Sequence, residues 1–311
     1  EKEGNVRLIK NDQLVIDPIL NIEVKTGLED GLLGILVKDE QVYLHYTTEE
    51  SGKSTNWFYK YTWNGKILQN KELIKKISGD TFHNSGVMTV LDNKVVMVIG
   101  DLLNREGITQ NFFDGEFDHT SVIMPIDPEG EPIAIGIRNS FGLAVDPVTG
   151  NLWQTENGWT VNSPDEINLV PTKFNSGWNI TMGNATEEEI SKMRFPEFPF
   201  SPPEFGWDPN IAPTALVFVE NRWGGEFKNS LLVGSCNKGI IYKFELNAER
   251  DGFIFENEDL TDLLLGPNDS DDEIVFARDL GCVVDMEFGP DNALYVSSIS
   301  NNGLIYKIIP E

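Results

Sequence analysis

Three histidines and two cysteines are all that a chain of 311 residues offers for imidazole or thiol chemistry. His83 is the one placed for work, in "DTFHNSGVMTVLDNKVVMVIGD" (80–101), on a turn ahead of an apolar run that ends in Gly100-Asp101. An imidazole titrates near neutrality and can act as a general base, and in a turn it can equally bond to backbone. His45 lies inside "VYLHYT" and His119 in "EFDHTS", where a structural or exposed role is expected. Asp165 and Glu166 in "SPDEIN" supply hard oxygens of the kind calcium prefers, or brace the ends of strands. No Ser/His/Asp triad and no glycine-rich phosphate loop is recognisable, and the scattered His and Cys give no zinc spacing.

The elements that must hold these residues read as β. A polar turn followed by a short alternating run recurs in "KDEQVYLHYT" (38–47), "LDNKVVMVIGD" (91–101), "DPVTGNLWQTEN" (146–157), "FKNSLLVGSC" (227–236) and "GPDNALYVSS" (289–298). Such runs after Asp/Asn/Gly turns predict half-buried antiparallel strands, and the spacing of roughly 50–80 residues is that of propeller blades. Residues 1–15, "EKEGNVRLIKNDQLV", read as the outer half of a further blade whose inner half is missing. The expectation is therefore an all-β, six-bladed propeller forming one domain over 1–311, with a long inter-blade excursion at 179–207. An unfinished first blade would invite a strand from a removed segment or from another protein chain. Inside the excursion, Thr186 and Glu189 have capping-box spacing ahead of a short helix.

Composition restricts the partners. Fifty acidic against 24 basic residues leave a net charge of −26, which disfavours nucleic acid and anionic membranes. No run approaches the roughly 20 apolar residues that span a bilayer. The chain opens on Glu1 rather than Met, which suggests a processed or trimmed start, and Asn179, Asn184 and Asn268 begin glycosylation sequons. An extracytoplasmic address, secreted, periplasmic or at the cell surface, is the expectation.

The ordered segments "EDGLLGILV" (29–37), "HNSG…VIGD" (83–101), "GIRNSFGLAVDPVTGNLWQTENG" (136–158), "DEINLV…FNSGWN" (165–179), "GWDPNIAPTAL" (206–216), "LLVGSCNKGIIYKFEL" (231–246) and "VVDMEFGPDNALYV" (283–296) resemble the glucose/sorbosone dehydrogenase family. This family includes the soluble pyrroloquinoline quinone (PQQ)-dependent aldose sugar dehydrogenases. The resemblance implies that His83 takes the proton of the sugar C1 hydroxyl and that Arg138 stabilises charge developing on the quinone. It places Trp207 at the mouth of the sugar site, and Glu29 at its entrance where the family favours Gln. It also implies a calcium held by backbone carbonyls at Gly158-Trp159, a Gly-Pro in the family, with Asp165 and Glu166 nearby.

Departures from the family pattern bear on the cofactor. PQQ carries three carboxylates, and a buried trianion requires cations around it. Where the family supplies them this chain has Asn237, Cys282 and Val284, with Lys238 beside the first. Cys236 and Cys282 map to loops of adjacent blades and are either two free thiols or a disulfide across the old pocket. Two functions follow. The first is an extracytoplasmic binding or structural module with a degenerate cofactor pocket. The second is an active PQQ- and calcium-dependent oxidoreductase that converts aldoses to lactones.

Overall fold

The computed structural model describes residues 1–102, 112–113, 116–117, 119–159 and 163–310. The chain divides into two compact units, Glu1–Ile133 and Ala134–Glu311.

In the first unit the blade pattern begins with four consecutive antiparallel strands, Leu32–Lys38, Gln41–Glu50, Lys53–Trp63 and Leu68–Ser78. A second sheet contains Met88–Leu91, Lys94–Ile99 and Val122–Asp127. The connections explain the registers. Ser51-Gly52 and Asp92-Asn93 both have positive φ at each residue, the twist that two-residue hairpins need. Lys94–Ile99 departs from the half-buried expectation, since Val95 through Ile99 are all completely buried. Its unbroken apolar run supplies both faces of a central strand with core side chains.

The first fifteen residues do not build half a blade. Asn5–Val6 pairs with Leu20–Asn21, and Ile9–Lys10 with Gln13–Leu14 across an Asn11-Asp12 turn of positive φ. These ribbons are two residues long, too short for a blade strand, and Ile9 and Leu14 in the second are exposed. The unfinished edge expected there is already paired at Asn5–Val6, by the chain's own Leu20–Asn21.

Three sheets fill the second unit. One contains Gly142–Val145, Leu152–Glu156, Asp165–Val170, Phe205–Trp207 and Leu264–Leu265. The next runs Pro213–Phe218, Ser230–Ser235, Ile241–Leu246 and Phe253–Ile254, with Val275–Ala277 also on Ile241–Leu246. The last has three strands, Val283–Phe288, Leu294–Ser298 and Leu304–Ile308. The expected helix is present at Glu187–Lys192, with the reciprocal Thr186/Glu189 capping box. Phe205–Trp207, the end of the expected excursion, is a strand whose aromatic side chains enter the core with Trp153, Phe218 and Phe244. Among the described residues there are thus five blade sheets rather than six.

Candidate functional site

His83 sits in the loop between Leu68–Ser78 and Met88–Leu91, at φ 55°. A β-carbon in the left-handed region is strained, so surrounding bonds must hold it there. They do. The His83 backbone N–H donates to Glu29 Oε2 at 2.6 Å. Asn84 donates through Nδ2 to the carbonyls of Glu29 and Asp80, and its Oδ1 accepts from Asn56 Nδ2 at 2.9 Å. Asn56 Oδ1 in turn meets His45 Nε2 at 2.9 Å. His45 is fully buried, stacked on Phe58 at 4.5 Å, and burial pushes its imidazole down to about 4, so it is a neutral structural group at neutral pH. Gly86 lies so close that a Cβ there would meet His45 Nδ1 at 1.6 Å.

The frame delivers one result. His83 Nδ1 lies 2.5 Å from Asp101 Oδ1, with both side chains almost wholly buried. A carboxylate in that position accepts the Nδ1–H and leaves Nε2 as the ring's basic nitrogen. Asp101 is the partner that motif reading missed. The signal was faint, an Asp at the end of the strand that follows the histidine turn. Glu29, expected at a substrate entrance, spends one carboxylate oxygen on the His83 backbone.

In the second unit Arg138 is 9% exposed. Its backbone N–H donates to Glu156 Oε1 at 2.5 Å, and its guanidinium donates through Nη1 to the carbonyls of Asn157 at 2.8 Å and Gly158 at 3.1 Å. It also lies over the Trp178 ring, 5.5 Å from the centroid. Trp159 meets Trp178 edge to face at 6.1 Å and is 68% exposed. The Trp159 backbone N–H donates to Ser163 Oγ at 3.0 Å.

These contacts correct the calcium expectation. Asp165 Oδ1 accepts from Gly158 N–H at 2.7 Å and Asn210 Nδ2 at 2.8 Å, and its Oδ2 from the N–H groups of Ile211 at 2.6 Å and Ala212 at 2.8 Å. Four donors use the lone pairs that a cation would need. Burial pushes this carboxyl up while the four bonds pull it down, with burial the larger effect. Glu166 accepts from Gly183 N–H and from Asn168 Nδ2, and the Gly158 carbonyl faces a guanidinium. No group of three or more His, Cys, Asp or Glu among the described residues is placed to hold a metal. The oxygens named by the sequence do not form a fitting calcium site.

Trp207 is corrected as well. It is completely buried among Phe205, Tyr242 and Phe244, at centroid distances of 5.1, 5.6 and 5.7 Å, so it is a core residue rather than the rim of a pocket. Its indole enters the core because Phe205–Trp207 pairs with Asp165–Ile167 as a sheet strand.

Cys236 and Cys282 are joined in a disulfide, which ties the loop after Ser230–Ser235 to the start of Val283–Phe288. Beside it Asn237 and Lys238 are exposed and Val284 is half-buried. A quinone with three carboxylates would meet an amide, a disulfide and an alkyl group at the three expected cation positions, with Lys238 the remaining cation in those stretches. These residues do not fit a trianion.

Repeated sheets of mainly antiparallel strands, with His83, Arg138 and Cys236 on loops between strands, are the elements of a β-propeller. The family model described as Glucose / Sorbosone dehydrogenase matches residues 1–307. The chain belongs to the glucose/sorbosone dehydrogenase family. An uncharacterised protein of Synechocystis sp. is 27% identical over 351 aligned positions, covering 99% of this chain and 80% of that protein. Aldose sugar dehydrogenase YliI of Escherichia coli is 24% identical over 202, covering 62% of this chain and 47% of the relative. Among solved structures, the apo soluble aldose sugar dehydrogenase of E. coli superposes with a TM-score of 0.77 at 17% identity, over 100% of this chain and 91% of that one. The PQQ-bound aldose sugar dehydrogenase of Streptomyces coelicolor superposes with a TM-score of 0.67 at 18% identity, over 91% and 81%. At such identities these two structures speak for the fold.

Proposed function

We propose that this protein is a propeller of quinoprotein sugar dehydrogenase descent that works without the quinone, as an extracytoplasmic module binding an aldose or a similar hydroxylated ligand. The observation that carries the reading is the Cys236–Cys282 disulfide, flanked by Asn237 and Val284, where a quinone's carboxylates need cations. Each missing charge-assisted contact removes about 1.5–3 kcal/mol, or roughly 10–100-fold in affinity. A disulfide also supports an oxidising compartment. Asn184 and Asn268 are exposed and open to glycosylation, whereas the Asn179 sequon has its Thr181 buried.

The second reading, an active PQQ- and calcium-dependent aldose dehydrogenase, is favoured by the His83–Asp101 pair and by the buried Arg138. A titration with PQQ and Ca²⁺, followed by absorbance and by dye-linked aldose oxidation, separates the two. No quinone binding at micromolar concentration is the expected result. Tight binding with robust turnover would establish the second reading instead.

A further inference from the structure

The first unit carries an open groove of about 890 Å³ that takes no residue from the loops of His83 and Arg138. Residues 20–25 line it together with strands Gln41–Glu50, Lys53–Trp63 and Leu68–Ser78. Four of the lining side chains are aromatic. Trp57, Tyr59 and Tyr61 alternate along one strand and share a face of the sheet, and Tyr46 stands opposite Trp57 in register. Tyr59 stacks with Tyr46 at 5.7 Å and with Trp57 at 5.9 Å. Tyr46 and Tyr61 belong to the buried core, whereas Trp57 and Tyr59 are half-buried. Trp57 Nε1 donates to Thr48 Oγ1 at 2.9 Å, which fixes the indole.

Two ammonium groups lie over these rings. Lys71 Nζ is 4.0 Å from the Tyr59 centroid and 5.6 Å from that of Tyr46, and Lys76 Nζ is 4.7 Å from the Trp57 centroid. Neither makes an ion pair or a hydrogen bond to a described residue, so their N–H donors are available to a ligand. In a chain with 50 acidic against 24 basic residues this is unexpected. Lys25, Lys60 and Lys75 of the same unit each find a carboxylate. Partial burial lowers the pKa of the Lys71 ammonium, and no neighbouring carboxylate offsets it. Lys76 also lines an adjoining cleft of about 660 Å³, which shares Lys25 and Glu49 with the groove.

We infer that this groove is a second binding site, for a pyranose that carries one carboxylate: a hexuronate, free or at the end of a glycan. The C–H face of the sugar packs on Trp57 and Tyr59, as apolar surface does on an aromatic ring. Its carboxylate accepts from Lys71, with Lys76 as the second cation beside the indole, and so supplies the counterion that the chain does not. Glu23 and Glu50 line the same groove, exposed and without an ion pair, and accept from sugar hydroxyls. Those two carboxylates and the net charge of −26 limit the ligand to a single negative charge, because a polyanion is repelled.

The test is titration of the full chain with D-glucuronate, D-glucose and benzoate, read by calorimetry and by saturation-transfer NMR. Glucuronate is expected to bind, and Lys71→Met to weaken it about 10-fold or more, the loss of one charge-assisted contact. Lys71→Arg should keep most of the affinity, and Lys192→Met, the same charge change in the second unit, should leave it unchanged. Trp57→Leu should weaken glucuronate through the lost ring face. If that variant does not fold, the exposed Lys71 still carries the test. Any binding of glucose should be the same in Lys71→Met, so the aldose proposal stands or falls separately. Methyl β-D-glucuronide bound more tightly than the free acid assigns the site to a glycan end, and the reverse order to free hexuronate. No glucuronate binding by the wild-type protein, unchanged affinity in folded Lys71→Met, or benzoate bound as tightly as glucuronate overturns the inference.

Discussion

Glu156 and Glu166 stand opposite each other in register on neighbouring strands, and both are buried to within 1% of their surface. Gln154 and Asn168, the next pair on the same face, point amide N–H groups at them, and Ser176 Oγ donates to Glu156 Oε2 at 2.5 Å. Burial first, and the Glu156 charge second, push the Glu166 carboxyl up to about 8 from 4.5.

Stability should consequently fall as pH rises across that interval. Between about 4.5 and 8 the folded state holds a proton that the unfolded chain has released, so the protonated pair's contribution is complete at the acid end and declines upward. One proton gives a slope of at most about 1.4 kcal/mol per pH unit. Denaturant unfolding of wild type and Glu166→Gln from pH 5 to pH 9 checks this. The variant should lose the slope and gain relative stability at pH 9, and parallel profiles would contradict the assignment.

The disulfide closes a loop with a sequence separation of 46, for which the chain-entropy relation gives a contribution of about 4 kcal/mol. Reduction, or Cys282→Ser, should lower unfolding free energy by roughly 2–4 kcal/mol in denaturant titrations. Equal midpoints with and without reductant would show that the bridge contributes nothing.

Arg250 holds Asp146 through two bonds, Nε to Oδ2 at 2.7 Å and Nη2 to Oδ1 at 2.9 Å, and Asp146 is completely buried. Burial alone would raise the Asp146 carboxyl, but Arg250, Val148 N–H and the Thr149 hydroxyl together bring it below its usual value. Arg250→Ala should cost about 3–5 kcal/mol, since it strands a buried charge. The double variant Arg250→Met, Asp146→Leu should recover much of that loss. A loss for Arg250→Ala below about 1 kcal/mol, the range of exposed ion pairs, would remove the buried pair from the account.

Asp165 organises its loop with N–H donors rather than a metal. Chelation should leave the thermal midpoint unchanged, whereas Asp165→Ala should cost about 3 kcal/mol or more by leaving several buried donors without an acceptor. A drop in melting temperature on adding EDTA, reversed by Ca²⁺, would restore the calcium site.

The amino-acid pattern alone determined the β-character of the chain, the positions of its central strands and the capped helix at Glu187–Lys192. Each depends on neighbours a few residues apart: alternation or an apolar run for a strand, a Thr and a Glu three positions on for the cap. Motif order also singled out His83 and Arg138 as candidates and drew attention to Asn237, Cys282 and Val284.

Tertiary structure decided what depends on partners distant in sequence. Whether residues 1–15 start a blade turns on what Asn5–Val6 pairs with, and Leu20–Asn21 takes that place. Whether Trp207 lines a pocket or fills a core turns on Tyr242 and Phe244, which arrive on another sheet. Asp165 carries the chemistry of a metal ligand, but Ile211 and Ala212 bring N–H groups to it from beyond a 40-residue gap in sequence. His83 differs from any turn histidine through Asp101, 18 residues away. Side-chain type sets which bonds a residue can make, and only folding sets which groups come close enough to make them.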